Sequence, residues 1–304
     1  MGKIAFLFSG QGAQAPGMGK ELYECSAAAR SLFDACEAIR PGTMAQCFEG
    51  DAAELKQTVN TQPCLYLADL AAVLALTEAG VSADAVAGFS LGEIPALSYA
   101  GVYSYTDGFR LAIKRGELMH AASEGYAAGM AAVLKLEDPV VEELCRAYPH
   151  VYPVNYNSPG QLVVSGLAEE VEQFKNDVRA AGGRAMPLPV SGAFHSPYMD
   201  TASAQLYDYL NEMQWNDLRI PCYSDYTAAV YENGAKKTLA AQVNHPVKWS
   251  SIIKNMAETG VDTFIEVGVG AVLQKLVPRI LGDGVRAFAV NDAATLTATL
   301  EAVK

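Results

Sequence analysis

The chain has 304 residues, 51% of them hydrophobic and 18% charged, with 22 basic against 34 acidic residues and a formal net charge of −12. That length and apolar share suit one large domain, or a large one carrying a smaller one, and exclude a disordered chain. The acidic balance, with no basic run, argues against nucleic acid as a partner, and no uninterrupted apolar stretch approaches the ~20 residues of a membrane span.

Strand-like and helix-like segments alternate from the start, the pattern of an α/β fold. Residues 4–8 read as a first buried strand rather than an export signal, because the apolar run stops at Ser9-Gly10-Gln11-Gly12. One helix is predicted from about Gly19 to Arg40, closed by Pro41-Gly42, and a strongly apolar helix over 63–79. A short buried strand follows over 84–89, then helices over 91–100 and 106–124. The middle third predicts a strand over 130–136, a helix from Asp138 to about Tyr148 and strands over 151–156 and 161–165. A helix over 167–181 and a strand over 184–190 complete it. This β-α-β-β-α-β order is the ferredoxin-like split unit, which gives an insert at 126–190 within a catalytic α/β body at 1–125 and 191–304. Beyond it come helix 197–213, strand 220–224, helices near 235–242 and 246–259, strand 262–267, helix 271–281, strand 285–289 and a terminal helix.

The six cysteines, Cys25, Cys36, Cys47, Cys64, Cys145 and Cys222, form no Cys-x-x-Cys pair and no metal-ligand spacing. They read as reduced thiols, several of them small core hydrophobes, in a cytoplasmic protein with no bound metal. The first loop, Gly10-Gln11-Gly12-Ala13-Gln14-Ala15, fits the glycine pattern of a dinucleotide fingerprint, but the second strand with its terminal acid is replaced by helix; Gly268-Val269-Gly270 has the same defect.

Chemistry concentrates at Gly88-Phe89-Ser90-Leu91-Gly92, a Gly-x-Ser-x-Gly set between a predicted strand and a predicted helix. That context is the nucleophile elbow: the serine sits on a sharp turn, small residues flank it where the backbone packs closely, and the helix start aims free N–H groups at a developing oxyanion. A helix-capping serine among chance glycines is the plain alternative. A serine nucleophile needs a base, and the chain offers His120, His150, His195 and His245. His195 follows a strand end and precedes a helix start, where sites gather in open α/β sheets, whereas the other three read as surface or capping residues. Arg115 shares a helical stripe with Leu111, Ala112, Leu118 and Met119, while Arg110, Lys114 and Glu117 lie on the polar face. A guanidinium on a buried face needs an anion, either a structural Asp or Glu or a substrate carboxylate.

These residues resemble, in order and over nearly the whole chain, the malonyl-CoA:acyl carrier protein transacylases and the wider acyltransferase domains of fatty acid and polyketide synthases. Phe6-Leu7-Phe8-Ser9-Gly10-Gln11-Gly12-Ala13-Gln14 is similar to the family's opening motif, Gly88 to Glu93 to its nucleophile motif, and Lys114 to Met119 to its arginine helix. Asn155-Tyr156-Asn157-Ser158-Pro159-Gly160-Gln161, Gly192-Ala193-Phe194-His195, and Gln242 ahead of Pro246-Val247-Lys248-Trp249 extend the likeness. The resemblance implies ping-pong transfer of malonyl from coenzyme A to a carrier-protein phosphopantetheine thiol, with Ser90 as nucleophile and His195 as base. It also implies an oxyanion hole of the Gln11 and Leu91 N–H groups and a carboxylate fork at Arg115. Met119, Phe194, Gln242 and Asn155 would complete the substrate site, with the histidine held by a backbone carbonyl near Gln242 instead of a triad acid. No cofactor is expected beyond the coenzyme A thioester substrate; the expected partners are malonyl-CoA and acyl carrier protein, neither nucleic acid nor membrane, and the expected state is a monomer. Four positions depart from the pattern: Phe89 for histidine, Ser9 for proline, Val269 within Gly-Pro-Gly, and Asp225 for asparagine. Rival readings are a serine hydrolase or thioesterase on the same elbow, an acyltransferase for another acyl-CoA, and a catalytically idle docking partner.

Overall fold

A computed structural model describes residues 2–190 and 192–303. Its strands are β1 (Lys3–Phe8), β2 (Ala85–Gly88), β3 (Ala128–Leu134), β4 (Val151–Ser158), β5 (Gln161–Leu167), β6 (Arg184–Pro187), β7 (Cys222–Tyr223), β8 (Val261–Val267) and β9 (Arg286–Val290). Five form a parallel sheet in the order β7-β2-β1-β8-β9, and β4-β5-β3-β6 form a separate antiparallel sheet. Parallel strands covered on both faces read as continuous apolar runs, which is why Ala5-Phe6-Leu7-Phe8 and Ala85-Val86-Ala87-Gly88 are buried throughout.

The helices are α1 (Lys20–Cys25), α2 (Ala27–Glu37), α3 (Thr43–Glu49), α4 (Ala52–Leu55), α5 (Thr58–Glu78), α6 (Glu93–Tyr99), α7 (Tyr105–Ala121), α8 (Asp138–Cys145), α9 (Ala168–Ala180), α10 (Asp200–Glu212), α11 (Lys236–Ala241), α12 (Trp249–Glu258), α13 (Val272–Leu281) and α14 (Ala293–Val303). The single helix expected over 19–40 is two. Ser26 is extended, and its Oγ accepts the Ala29 N–H at 3.1 Å, so it ends α1 and caps α2. The helix expected from 63 starts five residues earlier, and Pro63 lies inside it. This α5 is long and apolar enough to cross a membrane, with a mean hydropathy of 1.3, but 89% of its apolar window is buried inside the protein, so it is the core helix against which α7 and α2 pack. The helix expected from 246 begins only at Trp249, because Val247 is used as a bridge to β4.

The smaller sheet carries α8 and α9 with their own core of Val133, Val141, Val164, Phe174 and Val178. Its order, with the β3 and β5 strands central, is that of the ferredoxin-like unit. It is joined to the larger body by Tyr156 N–H to Val247 O at 2.9 Å and Val247 N–H to Val154 O at 2.8 Å. The strand expected over 184–190 leaves the sheet at Pro187, and Leu188 and Val190 turn toward the body. Ser191, where the sequence reading resumes the catalytic body, lies outside the described residues.

Candidate active site

The C-terminal ends of β1 and β2 lie side by side, which brings the Ser9–Gln14 loop against the elbow. Phe89 N–H donates to Phe8 O at 3.0 Å, and after it the chain makes a single 3₁₀ turn over Ser90–Gly92 into α6. Glycine is required on both sides: a Cβ on Gly88 would lie 1.9 Å from the Gly92 carbonyl carbon, and one on Gly92 would lie 2.4 Å from Phe8 O. Gly10 is equally tight, its Cβ position being 2.5 Å from Phe89 O, and this close approach sets Gln11 beside Ser90. Ser90 has φ 55° and His195 φ 61°, left-handed conformations that side-chain-bearing residues rarely adopt. Such strain persists only where the surroundings over-determine it.

The surroundings do so here. Ser90 Oγ is 2.8 Å from His195 Nε2. His195 Nδ1 faces two carbonyl oxygens, Gln242 O at 2.8 Å and His245 O at 3.2 Å, so it carries the ring hydrogen and leaves Nε2 to accept the serine proton. Among the described residues no carboxylate hydrogen-bonds the imidazole, and its backbone is pinned by its own N–H to Val243 O at 3.0 Å. Burial and then the Arg115 charge lower the histidine pKa from 6.5 to about 4, keeping it a neutral acceptor. The other histidines stand apart from this chemistry: His120 is exposed, His150 pairs with Glu170 at 2.6 Å, and the His245 ring bonds Ala241 O and Asn244 Oδ1.

Arg115 is 1% exposed on α7. Its guanidinium donates to Ser90 Oγ at 3.2 Å and to Gln242 Oε1 at 2.7 Å, and its Nε has no partner. Among the described residues no carboxylate forms an ion pair with it, and burial lowers it to about 10. The structural Asp or Glu allowed by the sequence is therefore absent from contact. A buried cation with spare donors beside the nucleophile is a receptor for an anionic group.

A cavity of about 70 Å³ sits over these groups, lined by Gln11, Phe89, Ser90, Met119, Asn155 and Phe194, with His195, Met130, Leu188 and Val190. A second cavity of about 240 Å³ shares Gln11, Phe89, Asn155 and Leu188 with it and runs between the small sheet and α13. The Gln11 N–H has no acceptor among the described residues, and the Leu91 N–H stands in the 3₁₀ turn that leads into α6. Phe89 packs on Trp249, ring centroids 5.4 Å apart, and lines both cavities. Gln242 differs from its expected part. It is fully buried and does not line the cavity; its side chain joins Arg115, Ser90 O and Asp225, and its carbonyl holds His195. Sequence reasoning gave no role to Met130, Leu188, Val190, the His245 carbonyl, or the buried Glu93 and Asp225. Only Glu93, inside the elbow motif, and Asp225, as a departure from pattern, carried any signal.

The parallel sheet, the elbow and the serine–histidine pair with an opposed cation define an acyltransferase of α/β-hydrolase-like build with a ferredoxin-like insert. The acyl transferase domain family matches residues 5–297, and the chain belongs to that family. It is 38% identical to the malonyl CoA-acyl carrier protein transacylase of Bacillus subtilis, covering 100% of this chain and 98% of the relative. The crystal structure of the malonyl CoA-acyl carrier protein transacylase from Clostridium perfringens superposes with a TM-score of 0.95 at 36% identity, over 99% of this chain and 97% of that one. A malonyl-transacylase solved in complex with its type II PKS acyl-carrier protein gives 0.94 at 32% identity, over 99% of each chain.

Proposed function

We infer that the chain transfers a malonyl group from coenzyme A to the phosphopantetheine thiol of an acyl carrier protein through an ester on Ser90. The carrying observation is Arg115: buried, in no ion pair among the described residues, and 3.2 Å from the nucleophile, where a generic esterase has no use for a cation. Ser90 Oγ attacks the thioester carbonyl as His195 Nε2 takes its proton; the Gln11 and Leu91 N–H groups receive the oxyanion, each such donor contributing about 10²–10³ in rate. Collapse expels the coenzyme A thiolate, which takes the proton from His195. The carrier thiol then gives its proton to His195, attacks the acyl-serine, and releases Ser90 on reprotonation. Arg115 forks the free malonyl carboxylate throughout, and Phe194 on the cavity wall disfavours branched acyl groups by about 1–3 kcal/mol. The activated thioester is itself the substrate, so these steps call for no cofactor. We further propose that the enzyme works as a monomer in the cytoplasm with its six thiols reduced.

Incubation with malonyl-CoA is expected to add one malonyl group, located on Ser90 by intact-protein and peptide mass spectrometry. An unmodified Ser90 would sink the assignment.

The acid side of the pH profile carries a second expectation. The base must be neutral, and its pKa is depressed to about 4 in the free enzyme. kcat/KM for Ser90 acylation is therefore expected not to fall between about pH 7 and pH 5, whereas an unperturbed histidine would lose about tenfold by pH 5.5. Once a malonyl carboxylate neutralises Arg115 the depression weakens, so the limb in kcat lies at higher pH than that in kcat/KM.

A further inference from the structure

Beneath the elbow lies a pair of acids that the reaction steps leave unused. Asp225, just past β7, and Glu93, the first residue of α6, are both fully buried. Asp225 Oδ2 accepts the Ser90 N–H at 2.6 Å and Gln242 Nε2 at 3.2 Å. The Asp225 N–H donates to Glu93 Oε1 at 3.3 Å, and the Tyr231 hydroxyl donates to the same oxygen. Neither carboxyl forms an ion pair among the described residues, and Glu93 Oε2 and Asp225 Oδ1 lack any donor. Arg115 faces the pair from α7, Tyr231 and Cys222 from β7 and its following loop, Tyr103 from the turn before α7, and His195 lies beyond Gln242. Of these groups Arg115 alone is a standing cation.

Two carboxyls in one dry site do not both ionise, and a proton held between them supplies the missing donor. Burial pushes Asp225 up to about 7 and Glu93 well above the usual carboxylate range. Gln242 ties the pair to the cation: its Oε1 accepts from Arg115 while its Nε2 donates to Asp225.

We propose that Glu93 and Asp225 share a proton beneath Ser90 and, through the charge they present to Arg115, set how strongly the site prefers carboxylate-bearing acyl groups; this rests on the malonyl assignment above. Both are positioning residues and neither reaches the substrate. While the pair is fully protonated, the Arg115 field is free for an incoming carboxylate. When one of the two protons leaves, the carboxyls share the other, and a negative charge stands behind the arginine, competes with the substrate, and raises KM for malonyl-CoA. An acetyl group has no charge to feel the change.

The test times Ser90 acylation by malonyl-CoA and by acetyl-CoA, using mass spectrometry, in the unaltered protein, Asp225→Asn and Glu93→Gln. In the unaltered protein the malonyl-to-acetyl ratio of kcat/KM is expected to fall about five- to tenfold from about pH 6 to about pH 8.5, through KM. Taking the ratio cancels the titration of His195, which both acyl groups share. Asp225→Asn still accepts the Ser90 N–H but cannot ionise, so its ratio should be level and as high as the unaltered protein's at low pH. Glu93→Gln removes the carboxyl whose hydrogen bond helps to hold Asp225 down, so the fall should move to higher pH. A level ratio in the unaltered protein, or an Asp225→Asn profile that tracks it, overturns the pair. Should Asp225→Asn fail to fold by circular dichroism, an unmoved Glu93→Gln profile does the same. Failure of the unaltered protein to accept malonyl at all strikes the malonyl assignment first.

Discussion

Ser90→Ala is expected to lower the transfer rate by about 10⁴–10⁶ and to abolish the malonyl adduct, because no other atom can attack from that turn. The elbow itself should survive. The Ser90 N–H to Asp225 bond and the Gln242 contact to Ser90 O are backbone interactions that alanine keeps, and the left-handed φ of 55° strains alanine no more than serine. Thermal unfolding close to that of the unaltered protein would show this. His195→Ala should cost a similar factor, and the double variant little more than either alone, since nucleophile and base act as one unit. Losses that multiplied in the double variant would mean that the 2.8 Å Ser90–His195 contact is not the catalytic one.

Arg115→Ala is expected to lower kcat/KM for malonyl-CoA by about 10²–10³, the cost of deleting one partner of a desolvated, hydrogen-bonded charge pair. Acetyl-CoA should lose far less, since it has no carboxylate to leave unpaired. Equal losses on the two substrates would remove the carboxylate role. Arg115→Lys should recover only part of the malonyl rate, because an ammonium cannot make the planar two-pronged contact. A second readout separates this role from mere packing. The Arg115 charge helps to hold His195 low, so the acid limb for acetyl transfer should move to higher pH in Arg115→Ala. An unmoved limb would place the arginine out of electrical contact with the base.

Much of this molecule is written in local pattern. The apolar runs at 4–8 and 84–89, the glycines around Ser90, the split βαβ unit between them and His195, and the odd placement of Arg115 among leucines all follow from spacing along the chain, because strand pleat, helix turn and steric room act on near neighbours. The misses are also physical. Ser26 breaks a helix through one side-chain cap, α5 tolerates Pro63 within a largely buried surface, and Val247 leaves a predicted helix to bridge β4.

What only the tertiary structure decided is which groups meet. The Ser90–His195 contact spans 105 positions, Ser90–Asp225 spans 135, and Gln242–Ser90 spans 152. Periodicity is silent at such separations, so His195 was favoured by its place after a strand end and by resemblance, not by any spacing from Ser90; Gln242 was placed on the substrate side, and Asp225 passed as a variant rather than as half of a buried acid pair. The sequence by itself determined the elbow, the fold class and a buried cation in want of an anion. The packing of β1, β2 and β7 edge to edge, with α7 behind and the His195 loop above, determined that the cation faces the nucleophile, and with it the kind of acyl group the site receives.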